Sequence, residues 1–373
     1  MIITPQEFNG AELRLARIFN NYSLEEVAEK VSKTRQYLSS LESGKAIPTP
    51  ELAEKLAQVL CVDTAFFLSN IPRIHEEQFH FRKRVSASVS LKNSVMARGE
   101  LVKRLSHYLD SKLKLPQVRI PDFSAGNYHH DIEKVAELSR DYWELGRGPI
   151  ENVTRLVENI GVVVTSFKSI SKEIDALSLV TKRPIIVRSE AKESVCRQRF
   201  DICHEVGHFV LHQGIQTGDR ITESEANSFA SAFLIPRSMM AKLFPKPKGS
   251  RLDWQGLKEF KLTWKVSKAA ILYRAVKLEL ITTAQYKSGV ITLNRTGEAT
   301  KENEDFLIPK ENPELLEKAL IILAEKKSVH IDEVASDLKI NAQLLQEVIG
   351  FGSESRAQDV ALLRPALRLV INN

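Results

Sequence analysis

The chain has 373 residues, of which 43% are hydrophobic and 27% charged, with no low-complexity tract or short repeat. That length accommodates two or three domains, and the composition excludes a disordered, collagen-like or solenoid protein. The opening MIITPQEFNGAELRLARIF has no basic stretch leading into an apolar one, and charges interrupt every hydrophobic run before about 18 residues, so a cytoplasmic protein with no membrane partner is expected. Three cysteines, Cys61, Cys196 and Cys203, are an odd number at no CxxC spacing, which fits buried thiols in a reducing compartment. The net charge of +6 is uneven: residues 1–70 hold seven Lys/Arg against nine Asp/Glu, whereas residues 71–120 hold eleven against four, including Arg82, Lys83 and Arg84.

Four short helices are predicted first, over 12–19, 23–30, 34–41 and 49–60. Ser23 with Glu26 three residues on forms a capping box, Thr34 precedes RQYLSSLE, Pro50 sits where a first-turn proline is tolerated, and Gly44 closes the third helix. Residues 71–89 have mixed charge and weak periodicity and read as a linker. Helical patterning follows over 95–113 and 130–145. Between 161 and 188 come β-branched runs, GVVVTSF, IDALSLV and PIIVRS, which predict a small sheet containing a hairpin, with Pro184 on an edge strand or at a strand's first residue. Two helices are expected over 192–211 and 221–234, the second ended by Pro236. In the tail, 287–293 reads as a strand, 313–324 as a helix begun by Asn312-Pro313, and IDEVASDLKINAQLLQEVIG as a helix pair capped near Asn341. That pair has helix-turn-helix spacing, but packed structure is its ordinary meaning.

Within RFDICHEVGHFVLH lies HExxH, formed by His204, Glu205 and His208. Residues four apart on a helix share one face about 6 Å apart along the axis, so both imidazoles converge on one ion, and zinc suits them. Glu205, about a third of a turn away, reaches a water at that ion and serves as general base. A catalytic zinc keeps three protein ligands and one open position, so a third is needed. Glu223 and Glu225, in ITESEANSFASAFLIP, are both candidates about fifteen residues beyond His208.

HEVGHFVLH followed by ESEANSFASAFLIP resembles the ImmA/IrrE family of metallopeptidases, and RQRFD and GPIENVTRLVENIGVVV resemble that family's lead-in. The resemblance spans roughly 82–280. It implies a thermolysin-like core with one zinc per chain. It makes the acid of E-x-x-A-N the third ligand, which is Glu223 here, with Asn227 one turn later supporting the site. Eight residues of helix span about 12 Å, too far for His212 to join His204 and His208 on one ion, so His212 is a structural or supporting residue. The spacing also misses the third histidine of HExxHxxGxxH. Cys203 reads as buried packing. Tyr273 and Arg274 are candidates for stabilising a tetrahedral intermediate opposite the metal, against the plainer roles of core tyrosine and surface arginine.

AEKVSKTRQYLSSLESGKAIPTPE resembles the XRE family of helix-turn-helix regulators, with Ser32 where that family often has glycine. The resemblance implies a double-stranded DNA operator as partner. With Thr34 at the N-cap, the recognition helix presents Arg35, Gln36, Ser39 and Ser40, joined by Lys45. Arginine and glutamine read guanine and adenine edges, while serine and lysine suit phosphate. A homodimer would double the contact surface.

The expected fold is therefore α+β and predominantly helical. It comprises an all-α helix-turn-helix domain over 1–70, a basic linker over 71–94, a zinc metallopeptidase domain with a small sheet over 95–281, and a small α/β or helical domain over 282–373. The expected function is a DNA-binding transcriptional regulator with zinc endopeptidase activity on a protein substrate, whether a repressor, a toxin partner or itself. The alternative is a DNA-binding repressor or antitoxin whose zinc domain only senses or scaffolds.

Overall fold

Short helices form at the N-terminus where the sequence supplies their caps. Helix α1 (Gly10–Phe19) begins at Asn9, whose side chain accepts from the Ala11 amide; α2 (Leu24–Lys30) opens on the Ser23/Glu26 capping box; α3 (Arg35–Glu42) on Thr34, which accepts from the Tyr37 amide; and α4 (Pro50–Val59) on Thr49 with Pro50 in its first turn. Leu13, Phe19, Val27, Leu38, Leu41 and Leu56 are buried between them. Glu42 accepts both the Nε and Nη2 hydrogens of Arg17, tying the end of α3 to α1. The α2–α3 turn takes Ser32 to a φ of 55°, the left-handed region that explains glycine's usual place there.

The computed structural model describes residues 8–72, 79–81, 89–124, 131–167, 176–189, 194–350 and 370–371. The expected linker contains a strand, β1 (Phe79–Phe81), while the basic triplet Arg82, Lys83 and Arg84 lies outside the described residues. Next come α5 (Val89–Lys112), β2 (Leu113–Lys114), α6 (Ile132–Tyr142) and α7 (Val153–Asn159). The β-branched runs become β3 (Val163–Phe167), β4 (Ala176–Leu179) and β5 (Ile185–Ser189). The sheet order is β1-β4-β5-β3, with β4 antiparallel to β5 as the hairpin, β3 parallel to β5, and β1 antiparallel to β4 on the edge.

Then follow α8 (Val195–Leu211), α9 (Arg220–Leu234), α10 (Arg237–Leu243), α11 (Trp254–Trp264), α12 (Lys268–Lys277) and α13 (Thr283–Arg295). The strand expected over 287–293 is part of α13. A Thr282/Gln285 capping box starts that helix, and Gly289 and Leu293 are its buried positions, a helical four-residue spacing that overrides the β-branched look of GVITL. The chain ends with α14 (Leu315–Lys327), α15 (Ile331–Asp337), α16 (Ala342–Ile349), capped by Asn341, and β6 (Val370–Ile371), which pairs with β2. The architecture is α+β and predominantly helical.

Two compact units divide this chain differently from the sequence expectation: one joins residues 1–78, 85–116 and 314–373, the other 79–84 and 117–313. In the first, Arg104 of α5 makes a bidentate pair with Glu12 of α1 at 2.8 and 2.9 Å, both side chains buried, and Val62 bridges Ile340. Helix α5 and the terminal helix pair thus complete the core of the helix-turn-helix module. A break of pattern at residue 71 cannot reveal partners more than 200 residues away.

In the second unit, α8 lies among buried apolar residues, with Ile202, Val206 and Val210 facing the core. Arg199, itself buried, fastens this helix to the carbonyl of Ile150 and the carboxylate of Glu311. Against α8 packs α9, capped by Asp219 through the Ile221 and Thr222 amides. The helices approach closely at Gly207, where a β-carbon would meet Phe229 Cδ1 at 3.1 Å and the Ala226 Cα at 3.3 Å. Gly207→Ala is therefore expected to push α9 outward and cost about 1–3 kcal/mol in urea unfolding. Loss of metal affinity should accompany it, since α9 carries the third ligand candidate. Unchanged unfolding and metal titration would show that the close approach is not needed.

Candidate metal centre

His204 and His208, one turn apart on α8, are buried and bring their Nε2 atoms to 3.1 Å from each other. Across from them on α9, Glu223 places Oε2 3.4 Å from His204 Nε2 and Oε1 3.3 Å from His208 Nε2. Among the described residues this is the one cluster of three side chains whose ligand atoms lie close enough to share a metal ion. A tetrahedral ion with bonds of 2.0–2.1 Å has edges of about 3.3 Å, which these separations match.

The hydrogen bonds behind the rings decide where the protons sit. His204 Nδ1 lies 3.0 Å from Asn227 Oδ1, an acceptor, so Nδ1 carries the hydrogen and Nε2 a lone pair. His208 Nδ1 lies 2.9 Å from His212 Nδ1, and His212 Nε2 lies 2.8 Å from Glu225 Oε2. Glu225 takes the hydrogen of His212 Nε2, His212 Nδ1 then accepts from His208 Nδ1, and His208 Nε2 is likewise left as a lone pair. Burial pushes His208 down to about 4, more than Glu223 pulls it up, so it is neutral at neutral pH. Glu223 sets a carboxylate against these two nitrogens. Two lone pairs and a carboxylate facing one another repel unless a cation sits among them. Glu223 Oε1 is buried without a hydrogen-bond partner, which fits the same cation.

Glu205 stands outside this ligand set. It is fully buried, and its Oε2 accepts from Ser178 Oγ of β4 at 2.5 Å. Sequence reasoning missed Ser178, whose signal was only a polar residue inside a strand run. It also gave Glu225 no role beyond that of rival ligand. Cys203 is buried in the core, and burial pushes its thiol up to about 12, so it is an inert packing group.

The two stabiliser candidates are not brought to the cluster. Arg274 is buried rather than a surface residue, and its guanidinium is spent on the Ile235 carbonyl and a bidentate pair with Glu133 at 2.8 Å. Tyr273 is 48% exposed, with its ring against Tyr286 and Lys277. Both lie on α12, whose inner face serves the core.

On α3, Arg35, Gln36 and Ser39 are exposed, as is Lys45 beyond it. Thr34 spends its hydroxyl oxygen on the cap, and Ser40 is half-buried with its hydroxyl donating to the Gln36 carbonyl, which leaves Arg35 and Gln36 as the free edge-reading groups.

Residues 13–67 match the helix-turn-helix family model, and residues 157–276 match the IrrE N-terminal-like domain model, a peptidase family. The chain joins an XRE-type helix-turn-helix module to a domain of the ImmA/IrrE peptidase family. Comparison with curated proteins found no match. The IrrE-like match covers all of α8 and α9 and so contains every ligand candidate. If Glu223 is the ligand and Glu225 acts two hydrogen bonds away, Glu225→Gln should weaken metal binding by about 10- to 100-fold, the range for supporting residues, and Glu223→Gln by more. Titration against a chromogenic chelator measures both. The reverse order would move the ligand to Glu225.

Proposed function

We propose that the chain is a DNA-binding transcriptional regulator whose IrrE-like domain is a zinc endopeptidase. Its substrate on this reading is a protein, whether a repressor, a toxin-antitoxin partner or itself, and its setting is cytoplasmic. The observation that carries the reading is Glu205: a buried carboxylate, held by Ser178 and adjoining His204 in the chain, that is not among the three side chains able to share an ion. A structural zinc site is closed by four ligands and has no use for such a group.

His204, His208 and Glu223 would hold the zinc, and the neutral nitrogen and anionic oxygen donors suit a borderline ion. When bound, zinc supplies Lewis-acid polarisation of water and of the scissile carbonyl. Asn227 fixes the His204 ring, and the His212–Glu225 pair fixes His208, so neither ring needs to reorient during turnover. Glu205 takes the proton released as water oxygen adds to the carbonyl carbon, and delivers it to the amine nitrogen as the C–N bond breaks. Ser178 holds one carboxylate oxygen throughout, which fixes the direction of transfer.

Glu205→Gln preserves shape and removes the base. Cleavage of a protein partner should fall by about 10² to 10⁴, while zinc content, melting temperature and operator affinity stay at wild-type values. If this variant still switches its target genes normally, and neither form processes any partner, the domain is a sensor or scaffold instead.

The DNA half of the reading rests on the exposed N-terminal end of α3. Arg35→Ala and Gln36→Ala should each cost about 1–3 kcal/mol of specific operator binding without changing metal content. Footprinting that shows undiminished protection in the double variant would place the base contacts elsewhere.

A further inference from the structure

Strand β1 has no part in the chemistry just described, yet it lies beside it. The sheet order β1-β4-β5-β3 makes β1 an edge strand whose neighbour is β4. The antiparallel register sets Phe79 opposite Leu179, residue 80 opposite Ser178, and Phe81 opposite Leu177. Ser178 is the residue whose hydroxyl holds Glu205. A three-residue strand of this chain is therefore paired to the strand that carries the hydrogen-bond donor of the proposed base, centred on that donor.

An uncovered β4 edge would present a row of backbone donors and acceptors that pairs with any extended chain. Such pairing is a general way of binding peptides, with main-chain hydrogen bonds giving affinity. Here the pairing is already satisfied from within. The covering strand is short, three residues against the usual five or six, and it pairs with Leu177, Ser178 and Leu179, leaving Ala176 of β4 for a longer extended segment to reach.

We propose that Phe79–Phe81 is an internal occupant of the β4 edge at which an extended polypeptide substrate docks, so that docking proceeds by exchange of β1 for the incoming strand. The proposal rests on the peptidase reading of the site. It assigns the segment following the helix-turn-helix module a competitive role, and makes the partner an unfolded or strand-forming stretch of protein rather than a folded surface.

The test locks β1 in place. A Phe79→Cys, Leu179→Cys variant joins directly opposed positions, where a disulfide fits an antiparallel pair; Phe81→Cys with Leu177→Cys serves if the first pair does not oxidise. The probe is a fluorescein-labelled peptide of residues 77–84, EQFHFRKR, with a scrambled peptide of the same composition as control. The oxidised, full-length, zinc-loaded protein should bind the probe at least about tenfold more weakly than the same protein after reduction, a difference readily resolved by anisotropy. A second variant, His80→Pro, removes an amide from the strand and should bind the probe more tightly than wild type. Hydrogen exchange at the β4 amides of that variant should be faster without the probe and slowed by it. Equal binding by oxidised and reduced forms, or equal binding of the scrambled peptide, overturns the proposal. Because the readout is binding, it fails or stands separately from the Glu205→Gln test of cleavage.

Discussion

Everything at the candidate metal centre depends on two protons being kept on the Nδ1 atoms of His204 and His208. An imidazole offers a ligand lone pair at one nitrogen only when the other holds the hydrogen. Asn227 settles the matter for His204 with a single carbonyl oxygen. For His208 the same result needs two steps, through His212 and then Glu225, whose charge anchors the chain of donors. The two routes converge on Nε2 atoms 3.1 Å apart, a distance that neutral acceptors tolerate only with a cation between them or beside them.

That arrangement in turn requires α9 to pack closely on α8 at Gly207. Glu223, Glu225 and Asn227 all sit on α9, and their reach to α8 is set by the backbone separation at Gly207, where any side chain would meet Phe229 or the backbone of Ala226. The glycine between the two histidines is thus a packing device for the candidate ligand Glu223 on the other helix. Asp219 caps α9 one turn before Glu223, and the N-terminal end of a helix favours an anion in its first turn. Packing, cap and dipole all favour an ionised carboxylate at position 223.

Much of this was legible in the sequence because it is local. HExxH fixes its own geometry once a helix is granted, and a capping residue announces the helix that follows it, as Ser23, Thr34 and Asn341 do. Glu223 and Asn227 could be assigned only through the family resemblance, since the spacing alone left Glu225 equal to Glu223. What stayed hidden was non-local or two-sided. Ser178 is one polar residue in a strand run, and nothing nearby says that it faces a glutamate 27 residues on. Helix α5 carries Arg104, whose burial makes sense only beside Glu12, 92 residues earlier. The Gly-Val-Ile-Thr-Leu stretch of α13 has the composition of a strand, and only the Thr282/Gln285 capping box before it marks a helix. Arg274 looked available because arginines normally are exposed; its bidentate pairing with Glu133 needs the fold to be seen.

The burial of Glu205 bears on whether this domain acts or only senses. Moving a carboxylate out of water is costly unless hydrogen bonds or a nearby cation compensate, and a chain under no demand for a base would lose little by replacing it with an apolar residue of similar volume. Here the carboxylate is kept at zero exposure, supplied with a serine donor from a different element, and set one residue from His204, on a helix that also buries Ile202, Val206 and Val210. A scaffold needs the metal; it does not need this glutamate. The same reasoning accounts for β1 on the neighbouring edge: a base poised beside an open strand edge would act on any extended chain that found it, and a short internal strand makes entry conditional on a better competitor. On the proposed reading, specificity would come from exchange at the edge.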